Sequence, residues 1–273
     1  MNSSDIERWN AIAESWHRWI PQMHAWYKPA TELMLDLANI GPGSHVLDIA
    51  AGDGDQTLMA AERVGSSGHV LAIDRAEKLL AIAEQAAKAV GYSNIETRLM
   101  DGENLELPEN SFGAIICRFA LMFFIDPVQG LEGIKRVLKT NGKFSAVVYA
   151  DNGDPEFLTA LSTVQKFLGI EQVEKPAATR LGSQETLERT FLEAGLTDVE
   201  VHPLTLQIQM TSTEECVQYL QDTTPTIREK LLHLSPDDKR KVWKAVEEAL
   251  AKYETPSGFA VQHRVLVAVG GKS

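Results

Sequence analysis

The sequence predicts an α/β fold of the Rossmann-like, doubly wound kind: a mostly parallel seven-stranded sheet with an N-terminal helical cap and a helical insertion before the last strand. Three observations carry this prediction. Between residues 44 and 149, short β-branched or aliphatic runs alternate with segments of helical period. The first run opens directly into a turn of small residues and then a helix. The final alternating run, 259–269, follows a long helical excursion instead of a single crossover.

Residues 4–40 read as two amphipathic segments broken at Pro21, and Trp9, Trp16, Trp19 and Trp26 supply four of the five tryptophans. Trp9, Ile12, Trp16 and Trp19 follow three- and seven-residue steps, so this cap packs an aromatic face onto the sheet. Strands are predicted at 45–49, 69–73, 95–99, 113–117 and 144–148, with helices near 55–64, 76–90 and 127–138 between them. Gly142 suits a left-handed stop to the last of these helices. Strands joined by helices in this way run parallel, with right-handed crossovers. Beyond them, 155–168 and 183–194 are helical, 198–209 is a long strand, and 213–253 is helical with breaks at Pro225 and Ser235-Pro236. The run 259–269 returns to the sheet, antiparallel to the others, so that 210–257 forms an inserted helical lid. The expected organisation is one domain over 1–273: cap 1–40, cofactor-binding core 41–150, and substrate-side helices with the last two strands in 151–273.

A composition of 44% hydrophobic and 23% charged residues over 273 positions excludes a disulfide mini-protein, a collagen-like chain and wholesale disorder. With 26 Lys+Arg against 38 Asp+Glu, the net charge of −12 repels nucleic acid and anionic membranes and leaves a small molecule as the expected partner. Cys117 and Cys216 have neither disulfide nor metal-ligand spacing, so a reducing compartment and no metal are expected. The N-terminus lacks the pattern of a secretory signal. The longest nearly apolar stretch, 113–125, is interrupted by Arg118 and is shorter than the roughly 20 residues of a membrane span. Cytoplasmic residence is the expectation.

The chemistry is concentrated in Val46-Leu47-Asp48-Ile49-Ala50-Ala51-Gly52-Asp53-Gly54-Asp55, where a strand enters a small-residue turn at the start of a helix. Ala50 and Gly52 let a ligand approach the backbone, and Asp48 stands beside the crevice where open α/β sheets bind ligands. A dinucleotide turn would carry a third glycine where this chain has Thr57. Asp48, Asp53 and Asp55 repel a pyrophosphate but suit a cationic amine and a sulfonium, which favours S-adenosylmethionine. Asp74, with Arg75 beside it, ends the second strand 20 residues beyond Gly54, in position to accept both ribose hydroxyls. Asp101 and Gly102 follow the third strand and complete an adenosine pocket. NAD would use the same ribose acid, so an NAD-dependent oxidoreductase is the rival enzyme, and a non-catalytic cofactor-binding partner protein is the rival of another class.

On these residues the chain resembles the class I S-adenosylmethionine-dependent methyltransferases, within the small-molecule group related to the ubiquinone/menaquinone C-methyltransferases. The resemblance also rests on Ala72-Ile73-Asp74, Asp101-Gly102-Glu103-Asn104-Leu105, and Arg136-Val137-Leu138-Lys139-Thr140-Asn141-Gly142. It implies that Asp48, Ala50 and Gly52 surround the methionine part of the cofactor and that Asp74 holds the ribose. It further implies that Asp101 and Gly102 bound the adenine, that Cys117 lines the pocket, and that Trp16 closes over the cofactor. Ala50 stands where the family's first glycine falls, and Met122 where its quinone C-methyltransferases carry an arginine.

The implied activity is methyl transfer to a small-molecule acceptor, a secondary metabolite or an aromatic, quinone-like compound. Catalysis comes mainly from positioning, which supplies on the order of 7–11 kcal/mol. No base is assigned: His17, His24, His202 and His263 are candidates, as is Tyr149 at the end of the fifth strand. Arg118 is expected to pair with Asp126 or with an acid of the nucleotide turn.

Overall fold

The computed structural model describes residues 3–170 and 176–273. Two helices open the chain, α1 (Ser3–His17) and α2 (Ile20–Leu37), with Pro21 in the first turn of α2, where its missing N–H costs nothing. The alternating region contains β1 (His45–Ile49), α3 (Asp55–Val64), β2 (His69–Asp74), α4 (Glu77–Val90), β3 (Ile95–Leu99), β4 (Phe112–Arg118), α5 (Pro127–Val137) and β5 (Leu138–Tyr149). There follow α6 (Pro155–Phe167), α7 (Gln184–Glu193), β6 (Thr197–Met210), α8 (Thr213–Thr223), α9 (Pro225–Leu231), α10 (Pro236–Leu250), β7 (Glu254–Thr255) and β8 (Gly258–Gly271).

Local chemistry explains where these helices begin. Asp126, Asp154, Ser212 and Ser235 each accept a hydrogen bond from a backbone N–H of the first turn, and proline fills an opening position of α5, α6, α9 and α10. The expected breaks at Pro225 and Ser235-Pro236 are therefore helix starts.

The sheet order is β3-β2-β1-β4-β5-β8-β6, and β8 runs antiparallel to both β5 and β6. Strand order reverses between β1 and β4, so the crevice beyond their carboxyl ends is where such a sheet takes a ligand. Neighbouring residues of one strand serve opposite faces. Val46 and Ile116 join α2, α3, α6, α8 and α10 in one apolar layer, whereas Leu47 and Ile115 join α5 and α7 in the other. The cap is tied to the insertion: Arg8 pairs with Glu229, and Trp19 Nε1 and Ser15 Oγ donate to the side chain and backbone of Asp222 at 3.0 and 2.7 Å.

Two expectations are corrected. The residue with left-handed backbone is Asn141, at φ 62°, rather than Gly142, and it lies inside β5, which already begins at Leu138. Gly142 is needed for close approach, since a Cβ there would lie 3.0 Å from the carbonyl oxygen of Gly113. The inserted lid is not wholly helical either, because β7 folds back as a two-residue hairpin onto β8.

Candidate active site

The turn after β1 is shaped by its backbone. Ala50 and Gly52 adopt φ values of 56° and 58°, and the left-handed state at Ala50 carries a steric cost of about 1–2 kcal/mol. Gly54, at φ 85°, faces α4 so closely that a Cβ would sit 2.7 Å from that of Ala83. The turn is fixed to β2 by Asp74, whose Oδ2 accepts from the Gly52 N–H at 2.8 Å while Oδ1 accepts from the Ala76 N–H at 2.7 Å. Burial pushes the Asp74 carboxyl pKa up, and these backbone N–H groups oppose the shift. The Arg75 backbone N–H also meets this carboxylate, whose two oxygens together keep some acceptor capacity for a further donor.

Beyond β3, Asp101 accepts from the Glu103 N–H at 3.1 Å and lies 3.3 Å from Arg75 Nη1. Gly102 brings this loop onto the end of β1, since a Cβ would lie 2.5 Å from Ile49 Cγ2. From the cap, Trp16 Nε1 donates to Asp53 Oδ2 at 2.6 Å and closes α1 over the turn.

These residues open onto one cavity of about 550 Å³, whose wall includes Trp16, Ala50, Gly52, Asp74, Arg75, Asp101 and Gly102. Such a volume lies in the range of cofactor and ligand sites. One part of its remaining wall is an aromatic cluster. Phe119, itself at φ 56°, stacks on Tyr149 with ring centres 4.5 Å apart and meets Tyr27 edge-on at 4.9 Å, while Tyr219 and Phe157 continue the surface.

Two expected site residues do not reach this wall. Asp48 is fully buried beneath the turn, where Oδ1 accepts from Gln56 at 3.1 Å and Oδ2 from Thr57 at 2.6 Å. Cys117 is also fully buried, in the apolar layer with Leu47 and Ile115, and burial pushes its thiol up to about 12. Each lies one residue short of its strand end, and it is the next residue, Ile49 of β1 and Arg118 of β4, that reaches the cavity.

Burial raises the Asp48 carboxyl from its ordinary value of 3.8 to about 7, despite the opposing hydrogen bonds. Asp48 therefore opposes folding increasingly as pH rises from about 4 to 7. Asp48→Asn retains both partners, accepting from Gln56 and donating to Thr57. We expect it to raise the melting temperature at pH 8 by on the order of 5 °C, from about 2 kcal/mol, and by little at pH 4. Thermal unfolding across pH checks this.

Arg118 meets an acid of the turn, as expected, and that acid is Asp55, 2.6 Å from Nη1; the same nitrogen donates to Thr31 Oγ1 at 2.8 Å. Burial alone would raise the Asp55 pKa, but Arg118 and His24 outweigh it and hold the carboxyl below its ordinary value. His24 Nδ1 lies 2.5 Å from the other Asp55 oxygen, so that histidine candidate is engaged in the turn. His202 is exposed beside Glu200, and His17 ends α1.

His263 is different. It is buried, and its Nε2 meets Glu156 at the start of α6, with Asp154 nearby; donor atoms of the three lie within 4.8 Å of one another. The sequence reading missed Tyr27, Asp154 and Glu156. The signal available for the last two was the Asp-Pro-Glu start of α6, which marks a cap and says nothing of a partner 107 residues away.

A family model described as a methyltransferase domain matches residues 40–194, which include the turn, the acid at the end of β2 and the strands that carry them. The chain is 27% identical to the demethylmenaquinone methyltransferase of Bacillus velezensis over 227 residues, 75% of this chain and 95% of that protein. Among solved structures it is similar to the YcgJ protein of Bacillus subtilis, with TM-score 0.61 and 22% identity over 90% of this chain and 98% of the other. It is also similar to a SAM-dependent methyltransferase of Aquifex aeolicus, with TM-score 0.51 and 21% identity over 66% and 84% of the two chains. The family match spans more than half of the sequence, and the chain belongs to the methyltransferase-domain family as an S-adenosylmethionine-dependent methyltransferase.

Proposed function

We propose that the chain methylates a small aromatic or quinone-like acceptor held between the cap and the inserted helices, with catalysis mainly by positioning. The observation that carries this reading is that the turn, the strand-end acids and the aromatic wall open onto one cavity. S-adenosylmethionine, when bound, supplies a methyl group on a sulfonium that departs as a neutral thioether. Asp74 accepts the ribose hydroxyls, Asp101, Gly102 and Arg75 frame the adenine, Ala50 and Gly52 receive the methionine portion, and Trp16 closes above. Asp48 and Cys117 hold the floor. The aromatic surface of Tyr27, Phe119 and Tyr149 supports a flat acceptor, and the quinone-related name of the relatives supports its class. Met122 on the wall makes that part of the cavity apolar.

The three segments 1–40, 41–150 and 151–273 act as one catalytic unit in this reading, in the cytoplasm. The net charge of −12 argues against a nucleic-acid acceptor. Among the described residues no helix is long and apolar enough to cross a membrane.

Calorimetry with S-adenosylmethionine, followed by a metabolite screen with labelled methyl donor, tests the assignment. Saturable binding and mass gain in an aromatic compound are expected; failure to bind the donor and S-adenosylhomocysteine alike would end it. Trp16→Ala is expected to weaken donor binding by about tenfold through loss of ring contact and of the bond to Asp53. Unchanged calorimetric affinity would remove the cap from the site.

A further inference from the structure

The aromatic end of the cavity leads into a line of hydrogen bonds. Tyr149 and Tyr27 both belong to the wall, their hydroxyls lie 3.0 Å apart, and the Tyr27 hydroxyl lies 3.4 Å from His263 Nδ1. On the far side of the imidazole, Nε2 is 2.5 Å from Glu156 Oε1 and 3.7 Å from Asp154 Oδ1. An ionised carboxylate only accepts, so neutral His263 keeps its proton on Nε2 and turns the Nδ1 lone pair toward Tyr27. Tyr27 then donates to His263, Tyr149 donates to Tyr27, and the oxygen of Tyr149, a residue of the cavity wall, keeps acceptor capacity for one more donor.

The buried end is arranged for one more positive charge than a neutral imidazole provides. Two acids face a single ring, Asp154 pushed up to about 7 by burial and by the neighbouring Glu156, and Glu156 Oε2 is buried with no hydrogen-bond partner. Burial of unpaired acceptor capacity is costly unless something compensates it.

We propose that Tyr149, Tyr27 and His263 form a proton relay that removes the hydroxyl proton of a phenolic or enolic acceptor, with Glu156 and Asp154 holding the resulting imidazolium. This rests on the methyl-transfer reading. As the acceptor oxygen, or the ring carbon conjugated to it, forms its bond to the methyl carbon, the methyl–sulfur bond breaks and its electron pair stays on sulfur. The acceptor's proton goes to the Tyr149 oxygen, that of Tyr149 to Tyr27, and that of Tyr27 to Nδ1. For methylation at carbon, the neutral keto tautomer formed first then loses its ring proton to solvent while the carbonyl oxygen takes one up, which restores the phenol with no further change of charge. In the first step one positive charge is lost at sulfur and one appears on the ring of His263, so the interior keeps its net charge.

The titratable groups around His263 are Glu156 and Asp154 at the start of α6, Tyr27 of α2, Tyr149 of β5, and Tyr219 and Cys216 of α8. Burial pushes the Tyr27 and Tyr149 hydroxyls well above their ordinary range, so they pass protons while remaining neutral. Burial alone would lower His263, but Glu156 and Asp154 outweigh it and raise the ring to about 8. The relay is loaded below that pH and free to accept above it.

Two measurements on the full chain test the proposal. Nitrogen-15 NMR of His263 at high pH should show a protonated Nε2 and a bare Nδ1; a proton on Nδ1 overturns the relay. With S-adenosylmethionine and 1,4-naphthohydroquinone as probe acceptor, turnover should rise with pH through about 8. Tyr149→Phe, Tyr27→Phe and His263→Gln should each lower kcat about a hundredfold with little change in KM, and His263→Gln should flatten the rise. The phenylalanine variants keep the ring volume should His263→Gln misfold. Wild-type rates or profiles in the variants overturn the relay, as does turnover that depends on a divalent cation removable by chelator. Donor binding without turnover of this hydroquinone overturns the phenolic class assigned here while leaving methyl transfer itself standing.

Discussion

Asp74→Asn is expected to weaken S-adenosylmethionine binding about 30-fold, equivalent to about 2 kcal/mol, by calorimetry. The carboxylate of Asp74 has two tasks with one set of oxygens. It fixes the turn by accepting from the Gly52 and Ala76 N–H groups, and it offers its remaining lone pairs to the cavity. An amide retains a single acceptor oxygen and turns an NH₂ toward one of two backbone donors. The turn then loosens while the ribose loses a charged acceptor. S-adenosylhomocysteine, which shares the ribose and lacks the sulfonium charge, should lose affinity to the same degree. Asp101→Asn should cost less, because that side chain is partly exposed and paired with Arg75. A change of less than about threefold for Asp74→Asn with both ligands would take Asp74 out of the binding site.

Arg118→Met is expected to destabilise the fold by about 3–5 kcal/mol and to lower the melting temperature by on the order of 10 °C at neutral pH. The side chains of Arg118 and Asp55 are 10% and 8% exposed, and Asp53 and Asp48 lie in the same field. Removing the guanidinium leaves these buried acids facing one another. The sign with pH follows from Asp55, whose folded-state pKa is depressed. The pair contributes stability above the ordinary carboxyl pKa, and that contribution fades as pH falls through the folded value. The deficit of Arg118→Met should therefore shrink in acid, and Asp55→Asn in the Arg118→Met background should recover part of it at pH 7. Equal melting temperatures for wild type and variant at pH 7 would contradict the pair's structural role.

The sequence was most legible where chemistry is local. The β1 run, its small-residue turn and the acid at the end of β2 form a short-range pattern, and the structure has the strand, the turn and the acid where expected. The breaks read at Pro225 and Ser235-Pro236 fall on real boundaries for the same reason, since a cap and its proline are neighbours, although each is the start of a new helix. What sequence could not give was the depth of a side chain within a strand end. Asp48 and Cys117 sit in the right motifs, but Gln56 and Thr57 roof the one and an apolar layer encloses the other. The grouping of Tyr27, Tyr149, Glu156 and His263 was equally hidden, because it joins α2, β5, α6 and β8 and has no spacing to read. The start of β5 at Leu138 was missed because Lys139, Thr140 and Asn141 look like a turn, whereas the edge of β4 is there to pair with Leu138.

The register of β6 on β8 pairs Met210 directly with Phe259, so the polypeptide leaves the sheet and returns to it at a single point. The intervening helices thus hang from one sheet edge but are moored a second time, where Asp222 and Glu229 meet Ser15, Trp19 and Arg8 of the cap. Transplanting residues 211–258 between relatives therefore calls for the matching cap contacts to travel with them, while the parallel strands β1 to β5 stay as they are.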